Sequence, residues 1–485
     1  MTTVTAKFER ALGDILARVF YSNRQDESAG LTSSDGSSHA DPSDAQASPI
    51  AIAYSGGLDS SALLHLACEY ASQRSISLFA FHVHHGLSRH ADQWLRHCES
   101  RCNLLGVRFD ARQVKIGKTD GSGIEAAARA SRYAALGEMC RAHHVSLLLT
   151  AHHQDDQAET VLLQLLRGSG VAGLSGMDSA NTAADLLGEP DLILARPLLS
   201  LRRDELVAHM KSVGAAHVED ESNVDLRFSR NALRHRVLPA LAQYFPGFQE
   251  RLARTAGHAQ SAQRLLDQLA QGDWQLCRDG EGLNVESLRN LDPDRIGNLL
   301  RYWLGRHGLR MPSTAWLQQA QAQLLTARDG AQVCITLTDS EIRRYRNRIV
   351  LVPAVNLEAD GIVRLSAWQG EARMALNEYG GTLNFEAAEQ GVDADWLRGQ
   401  ELQIRGYRGE ARLKIAPNRS TRSLKSHCQE RGIPSWERKR LPLLYVNGEL
   451  LFVPGIGMAC QFLSNGAGPR IRVVWEPGQK AAASS

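Results

Sequence analysis

Ser55-Gly56-Gly57-Leu58-Asp59-Ser60-Ser61 follows a short apolar run and leads into an apolar helix carrying Leu63, Leu64 and Leu66. Two glycines permit a sharp turn and let backbone N–H groups approach an anion, while Ser55, Ser60 and the helix N-terminus add further donors. The product is a phosphate cradle. It is not a Walker A loop, because the G-x-x-x-x-G-K-[ST] spacing and its lysine are both missing. A carboxylate inside an anion site is costly unless it faces a cation, so Asp59 is expected to meet Mg²⁺ on the phosphates. A simple Ser/Gly helix cap would account for the glycines alone; the acid in the first turn suits a metal–phosphate site as well as a cap.

A second cluster, Ala151-His152-His153-Gln154-Asp155-Asp156-Gln157-Ala158-Glu159, follows another apolar run. The i, i+3 spacing of Asp156 and Glu159 puts both carboxylates on one helix face at the helix start, where the dipole keeps them ionised. Capping is the competing role for Asp155 or Asp156. His84, His85, His152 and His153 form two H-H pairs without the i, i+4 spacing of a zinc helix, so neutral imidazoles lining a crevice are expected instead. Glu125 and Arg129 share a helix face and serve equally well as an intrahelical pair or as ligand contacts.

The elements around these clusters have a clear rhythm. Ile50 to Tyr54, Leu78 to Val83 and Leu147 to Ala151 read as buried parallel strands, with helices near 58–73, 91–105, 124–143 and 155–167. Such alternation predicts a doubly wound α/β sheet whose ligand crevice lies at the carboxyl ends of its strands, where the polar clusters fall. Ahead of it, Phe8, Leu12, Ile15, Leu16 and Val19 recur at helical spacing. Residues 22–48 hold eight serines, five acids and one Arg, net −4, and read as a disordered linker. Beyond about 226 the pattern is mainly helical, with a hairpin at 332–352 whose strands, Val333 to Leu337 and Ile349 to Val352, flank the basic run Arg343 to Arg348. A unit of short strands and one or two helices follows.

The chain has 485 residues and a formal charge of +2 from 55 basic and 53 acidic residues, which excludes collagenous, wholly disordered or histone-like classes. Eight scattered cysteines without a C-x-x-C read as reduced thiols, with Cys98 and Cys102 on one helix face. No apolar stretch is long enough to span a bilayer, and the expected compartment is the cytoplasm.

The SGGLDSS segment resembles the signature loop of the ATP pyrophosphatase superfamily, which splits ATP between its α- and β-phosphates. Five further clusters follow in order. His82-Val83-His84-His85-Gly86-Leu87 and Gly123-Ile124-Glu125-Ala126 with Arg129, Arg132 and Tyr133 come first. The Ala151–Thr160 run, Arg167-Gly168-Ser169-Gly170, and Arg196-Pro197-Leu198 leading to Glu219–Asn223 and Arg230-Asn231 complete the set. Together they resemble the tRNA(Ile)-lysidine synthase family of bacterial tRNA-modifying ligases. The likeness is strong over about 49–240, and returns in Arg422-Ser423-Leu424-Lys425, Gly432-Ile433-Pro434 and Arg440-Leu441-Pro442. The 48 or so residues before the loop lie outside it.

The resemblance implies a two-step reaction with ATP and Mg²⁺. The wobble cytidine of an isoleucine tRNA with a CAU anticodon is adenylated at O2, and the ε-amine of free L-lysine then attacks C2 and expels AMP. Expected nucleotide contacts are Ser55, Gly56, Gly57, Leu58, Asp59, Ser60, Ser61 and His84. Asp59, with Asp156 or Glu159, is expected to hold the metal; Arg230 is expected to face phosphate or adenylate; and a carboxylate should take the proton of the lysine ammonium.

Residues 401–440 carry eleven Lys/Arg against four acids, net +7. Arg343, Arg344, Arg346, Arg422, Lys425 and Arg440 are therefore expected to hold the tRNA body, while the crevice accepts the unstacked base. The expected organisation is an N-terminal helix (1–21), the linker (22–48), a catalytic domain (49–226), a helical tRNA-binding domain with a hairpin (227–356) and a small α/β tRNA-binding domain (357–485), with homodimerisation left open. A tRNA thiolase of the same superfamily is the nearest rival, though the closest kind carries paired C-x-x-C motifs. A catalytically dead RNA-binding module would be expected to lose Asp59 or Glu159.

Overall fold

In the computed structural model the described residues are 3–28, 48–84, 86, 90–114, 124–218, 229–309, 311–328, 331, 333–338, 340–353, 364–464 and 468–478. The chain forms two units, Met1–Gln268 and Leu269–Ser484.

In the first unit the order is α1 (Thr3–Ser28), β1 (Ile50–Ala53), α2 (Leu58–Arg74), β2 (Leu78–His84), α3 (Ala91–Leu105), β3 (Arg108–Gln113), α4 (Ile124–Ala142), β4 (Leu147–Leu149), α5 (Gln154–Leu166), α6 (Val171–Leu174), β5 (Ala180–Thr182), α7 (Ala184–Leu187), β6 (Ile193–Ala195), α8 (Arg203–Ser212), α9 (Ser229–Ala232), a π-helical turn Leu233–Val237, α10 (Leu238–Tyr244) and α11 (Phe248–Cys277). The strands make one sheet, ordered β3-β2-β1-β4-β6-β5, parallel except for the edge strand β5. Strand order reverses between β1 and β4, the switch point at which doubly wound sheets open a crevice. The central strands β1, β2 and β4 are buried along nearly their whole length, which is why they read as continuous apolar runs. β3 escapes that signal because RFDARQ is a partly exposed polar edge, and β5 and β6 because each has only three residues.

The N-terminal helix belongs to this core. Phe8, Leu12 and Ile15 are 0%, 1% and 2% exposed and pack with α2 and α8, and Lys7 Nζ donates to Glu205 Oε1 at 2.7 Å. The helix continues to Ser28, correcting the linker's expected start at 22: Asn23 to Glu27 contain no Gly or Pro, and the next glycine after Gly13 is Gly30. Residues 29–47 of the linker lie outside the described residues. We expect Phe8→Ala to lower stability by about 3–5 kcal/mol in chemical denaturation; a loss near zero would detach α1 from the core.

A second correction concerns the boundary at 226/227. Helices α9 and α10, with the first turns of α11, belong to the first unit, where Leu238 and Phe248 pack on Ala158 of α5.

Within the second unit, helices Pro293–Arg306 and Thr314–Thr326 share a core around the fully buried Trp303 with a five-stranded sheet. The basic run is itself a strand, Ser340–Tyr345, paired antiparallel with Val333–Thr336 on one side and Arg348–Pro353 on the other. Farther along, antiparallel sheets of five and three strands carry the short helices Leu424–Glu430 and Ser435–Arg438. Among the described residues no helix is long and apolar enough to cross a membrane.

Candidate active site

The loop between β1 and α2 is built around Gly56. Its φ of +83° is left-handed, and a Cβ there would lie 2.8 Å from Cys98 Sγ, so both backbone and space demand glycine. The Gly56 carbonyl accepts from Val218 N–H at 3.0 Å and from Ser61 Oγ at 3.2 Å. Ser60 Oγ donates to the Gly57 carbonyl at 3.0 Å and stands 3.0 Å from Ser55 Oγ. Ser61 is 2% exposed, which corrects its expected place among the nucleotide contacts: it braces the loop from behind. Burial pushes the Cys98 and Cys102 thiols behind the loop up to about 12, helped by neighbouring thiols, so they are inert as nucleophiles.

In front of the loop lies a cavity of about 560 Å³, lined among others by Ser55, Asp59, His84, His152, Arg203 and Arg234. Such a volume is within the usual range for small-molecule sites. Leu58 and Ser60 also line it. His84 is 7% exposed; its Nε2 lies 3.0 Å from Asp92 Oδ1, and its buried Nδ1 has no hydrogen bond. Asp59 is only a third exposed. Its Oδ1 is buried without a hydrogen bond, 3.8 Å from Arg203 Nε, and its Oδ2 stands 3.6 Å from His153 Nε2.

Asp156, Glu159 and Arg230 come together, as the sequence spacing requires, with Arg234 as a fourth member. Glu159 is 1% exposed and both its oxygens accept: Oε2 from Arg230 Nε at 2.7 Å and Oε1 from Arg234 Nε at 2.6 Å. Asp156 Oδ1 accepts from Arg230 at 3.2 Å and from Arg234 at 3.0 Å. Burial opposes the charge on Asp156, but His153 and Arg230 outweigh it and hold the carboxyl below its ordinary range. Asp156 and Glu159, expected as metal ligands, stand here as the anionic partners of two guanidiniums. Sequence reasoning misses Arg234, although its i, i+4 spacing from Arg230 is a readable signal. The π-helical turn containing Arg234 is a feature that recurs at functional sites.

The histidines divide. Burial drives His152 down to about 3, so it is neutral in the cavity wall, with Nδ1 2.9 Å from Thr150 Oγ1. His153 departs from expectation: burial lowers its pKa, but the facing carboxylates of Asp59, Asp156 and Asp155 prevail and raise it. It forms a reciprocal cap for α5, its Nδ1 accepting from Asp156 N–H and its own N–H donating to Asp156 Oδ2. Asp155 instead caps α8, accepting from Arg203 N–H at 2.9 Å. Arg129 stacks on Tyr133 and donates to its hydroxyl. The Glu125 side chain, His85 and Glu219–Asn223 lie outside the described residues. No group of three or more His, Cys, Asp or Glu suited to a metal occurs among the described residues.

The expected RNA contacts separate by strand alternation. Arg344 is 3% exposed and donates to the Leu324 and Ala327 carbonyls at 2.7 and 2.9 Å, so it caps a helix end inside the unit and is withdrawn as an RNA contact. Arg343 pairs with Glu341 and lies over Trp436. Arg346 and Arg440 donate to the Gln429 and Pro353 carbonyls. Arg422 faces Glu430 at 3.2 Å while half exposed, and Lys425 is exposed.

A glycine-built anion loop without a Walker lysine, at the switch point of a doubly wound sheet, defines an ATP-binding PP-loop protein. The family model described as PP-loop domain matches residues 34–241, and those described as TilS substrate binding domain and TilS substrate C-terminal domain match 283–350 and 402–475. A tRNA(Ile)-lysidine synthase from Burkholderia pseudomallei is 41% identical over 464 residues, covering 88% of this chain and 93% of its own. One from Ralstonia nicotianae is 39% identical over 438 residues, covering 88% and 92%. A crystallised TilS C-terminal domain is 22% identical, with a TM-score of 0.21 over 24% of this chain and 97% of its own. The chain belongs to the tRNA(Ile)-lysidine synthase family.

Proposed function

We propose that this chain is an ATP-dependent ligase that joins L-lysine to C2 of the wobble cytidine in isoleucine tRNA with a CAU anticodon, in the cytoplasm. ATP is split to AMP and pyrophosphate, with the O2-adenylated base as intermediate. The observation that carries the reading is the buried, unbonded Asp59 Oδ1 in the cavity of the SGGLDSS loop. That orphaned oxygen fits Mg²⁺, whose bound charge would offset that of the phosphates. The loop's N–H groups and Ser55 seat the phosphates. Arg234, held by Glu159 and Asp156, presents a fixed cation to the charge that grows at the α-phosphorus. Asp156 and Glu159 act as positioning residues for the two arginines. The ε-ammonium of lysine, with an ordinary pKa of about 10.4, must lose a proton before attack.

Purified protein given unmodified isoleucine tRNA, lysine and ATP should release AMP and pyrophosphate in equal amounts, and only with the tRNA present. Release of ADP would contradict the reading.

For the basic domain, we expect Arg422→Glu with Lys425→Glu to weaken tRNA binding and to flatten the plot of log affinity against log salt by about 0.7–0.9 for each phosphate no longer neutralised. An unchanged slope would remove that surface from the RNA interface. Arg344→Ala should leave the slope alone and cost about 2–3 kcal/mol of stability, because buried carbonyls are left without their donor.

A further inference from the structure

Arg203 opens α8 at the same cavity. Its backbone N–H is fixed by Asp155 Oδ2 at 2.9 Å, while its neighbour Arg202 is turned onto Asp204 at 2.7 Å. The Arg203 side chain is half exposed, and its ion-pair contact among the described residues is Asp59 Oδ1 at 3.8 Å. The other arginines of the cavity wall are differently placed: Arg234 is held by Asp156 and Glu159, and Arg132 lies over Tyr133.

Resting on the reading that this cavity takes ATP, we propose that Arg203 is the cation that receives the β- and γ-phosphates and holds the pyrophosphate leaving group. The loop has the donors of a phosphate site but not the lysine that a Walker loop carries for the terminal phosphates. Arg203 lines that same cavity beside Asp59, on a backbone anchored by Asp155. Its contact to Asp59 is too long for a hydrogen bond and half exposed, so exchanging it for phosphate oxygens, which a guanidinium grips in bidentate fashion, costs little. In the adenylation step the cytidine oxygen bonds to the α-phosphorus, and the bond from that phosphorus to the bridging oxygen breaks. The electron pair leaves with pyrophosphate, where the guanidinium offsets it; Arg203 gives and takes no proton.

The test compares inhibition by inorganic pyrophosphate with inhibition by AMP, in wild type and in Arg203→Gln and Arg203→Lys. Arg203→Gln keeps the backbone N–H that Asp155 caps. It should raise the KM for ATP and the inhibition constant for pyrophosphate at least tenfold, leave the AMP constant within twofold, and leave the thermal midpoint near that of wild type. Arg203→Lys should recover part of the pyrophosphate binding. If both variants bind pyrophosphate as wild type does, or if AMP and pyrophosphate weaken together, Arg203 is not the leaving-group cation. Should Arg203→Gln unfold, the Arg203→Lys split between the two inhibitors decides alone. Wild type that releases no pyrophosphate with tRNA would instead overturn the ATP reading itself.

Discussion

Asp59→Ala is expected to cut tRNA-dependent pyrophosphate release by about 10³-fold or more, the several kcal/mol that a metal ligand at a transferring phosphoryl group supplies. Affinity for tRNA should persist, since the basic residues expected to hold RNA lie in the second unit. The mutation is benign for folding: Asp59 makes no hydrogen bond through Oδ1, and its nearest ionic neighbours stand 3.6 and 3.8 Å away. Turnover close to wild type, measured as released pyrophosphate, would sink the metal role.

Glu159→Gln should damage structure as well as turnover. The substitution preserves shape but leaves two guanidiniums facing Asp156 alone. Breaking a buried ion pair from one side costs about 3–5 kcal/mol, and the arginines here are about a third exposed, so we expect roughly 2–3 kcal/mol in urea denaturation. Pyrophosphate release should fall at least tenfold, because Arg234 is no longer held at the cavity. Acid should act through the same cluster. The folded pKa of Asp156 lies below its ordinary value, so its contribution is present above about 3.9 and is lost as pH falls through the folded value. A Glu159→Gln protein as stable as wild type would show that the four-residue cluster is not a structural unit.

Much of the first unit is legible in the sequence because its central strands are apolar on both faces. The expected helices near 58–73 and 91–105 end within a residue of Leu58–Arg74 and Ala91–Leu105. Polar edge strands and three-residue strands leave no such trace, and β3, β5 and β6 go unseen for that reason. In the site, types and spacing bring Asp59, Asp156, Glu159 and Arg230 into one neighbourhood. What they cannot tell is who neutralises whom. That Arg230 and Arg234, more than seventy residues downstream, donate to both oxygens of Glu159 is not readable from the spacing of the acids. The same limit applies to the basic run: a strand's alternation sends Arg344 inward, and charge density along the sequence cannot say which arginines are already bound to carbonyls.

The central claim is that this cavity delivers lysine to a cytidine. Purified protein should be incubated with unmodified isoleucine tRNA carrying the CAU anticodon, ATP, Mg²⁺ and radiolabelled lysine. We predict label in the tRNA, dependent on ATP and located at the wobble cytidine. Absence of lysine label, with incorporation of sulfur from a donor under the same conditions, would contradict the account.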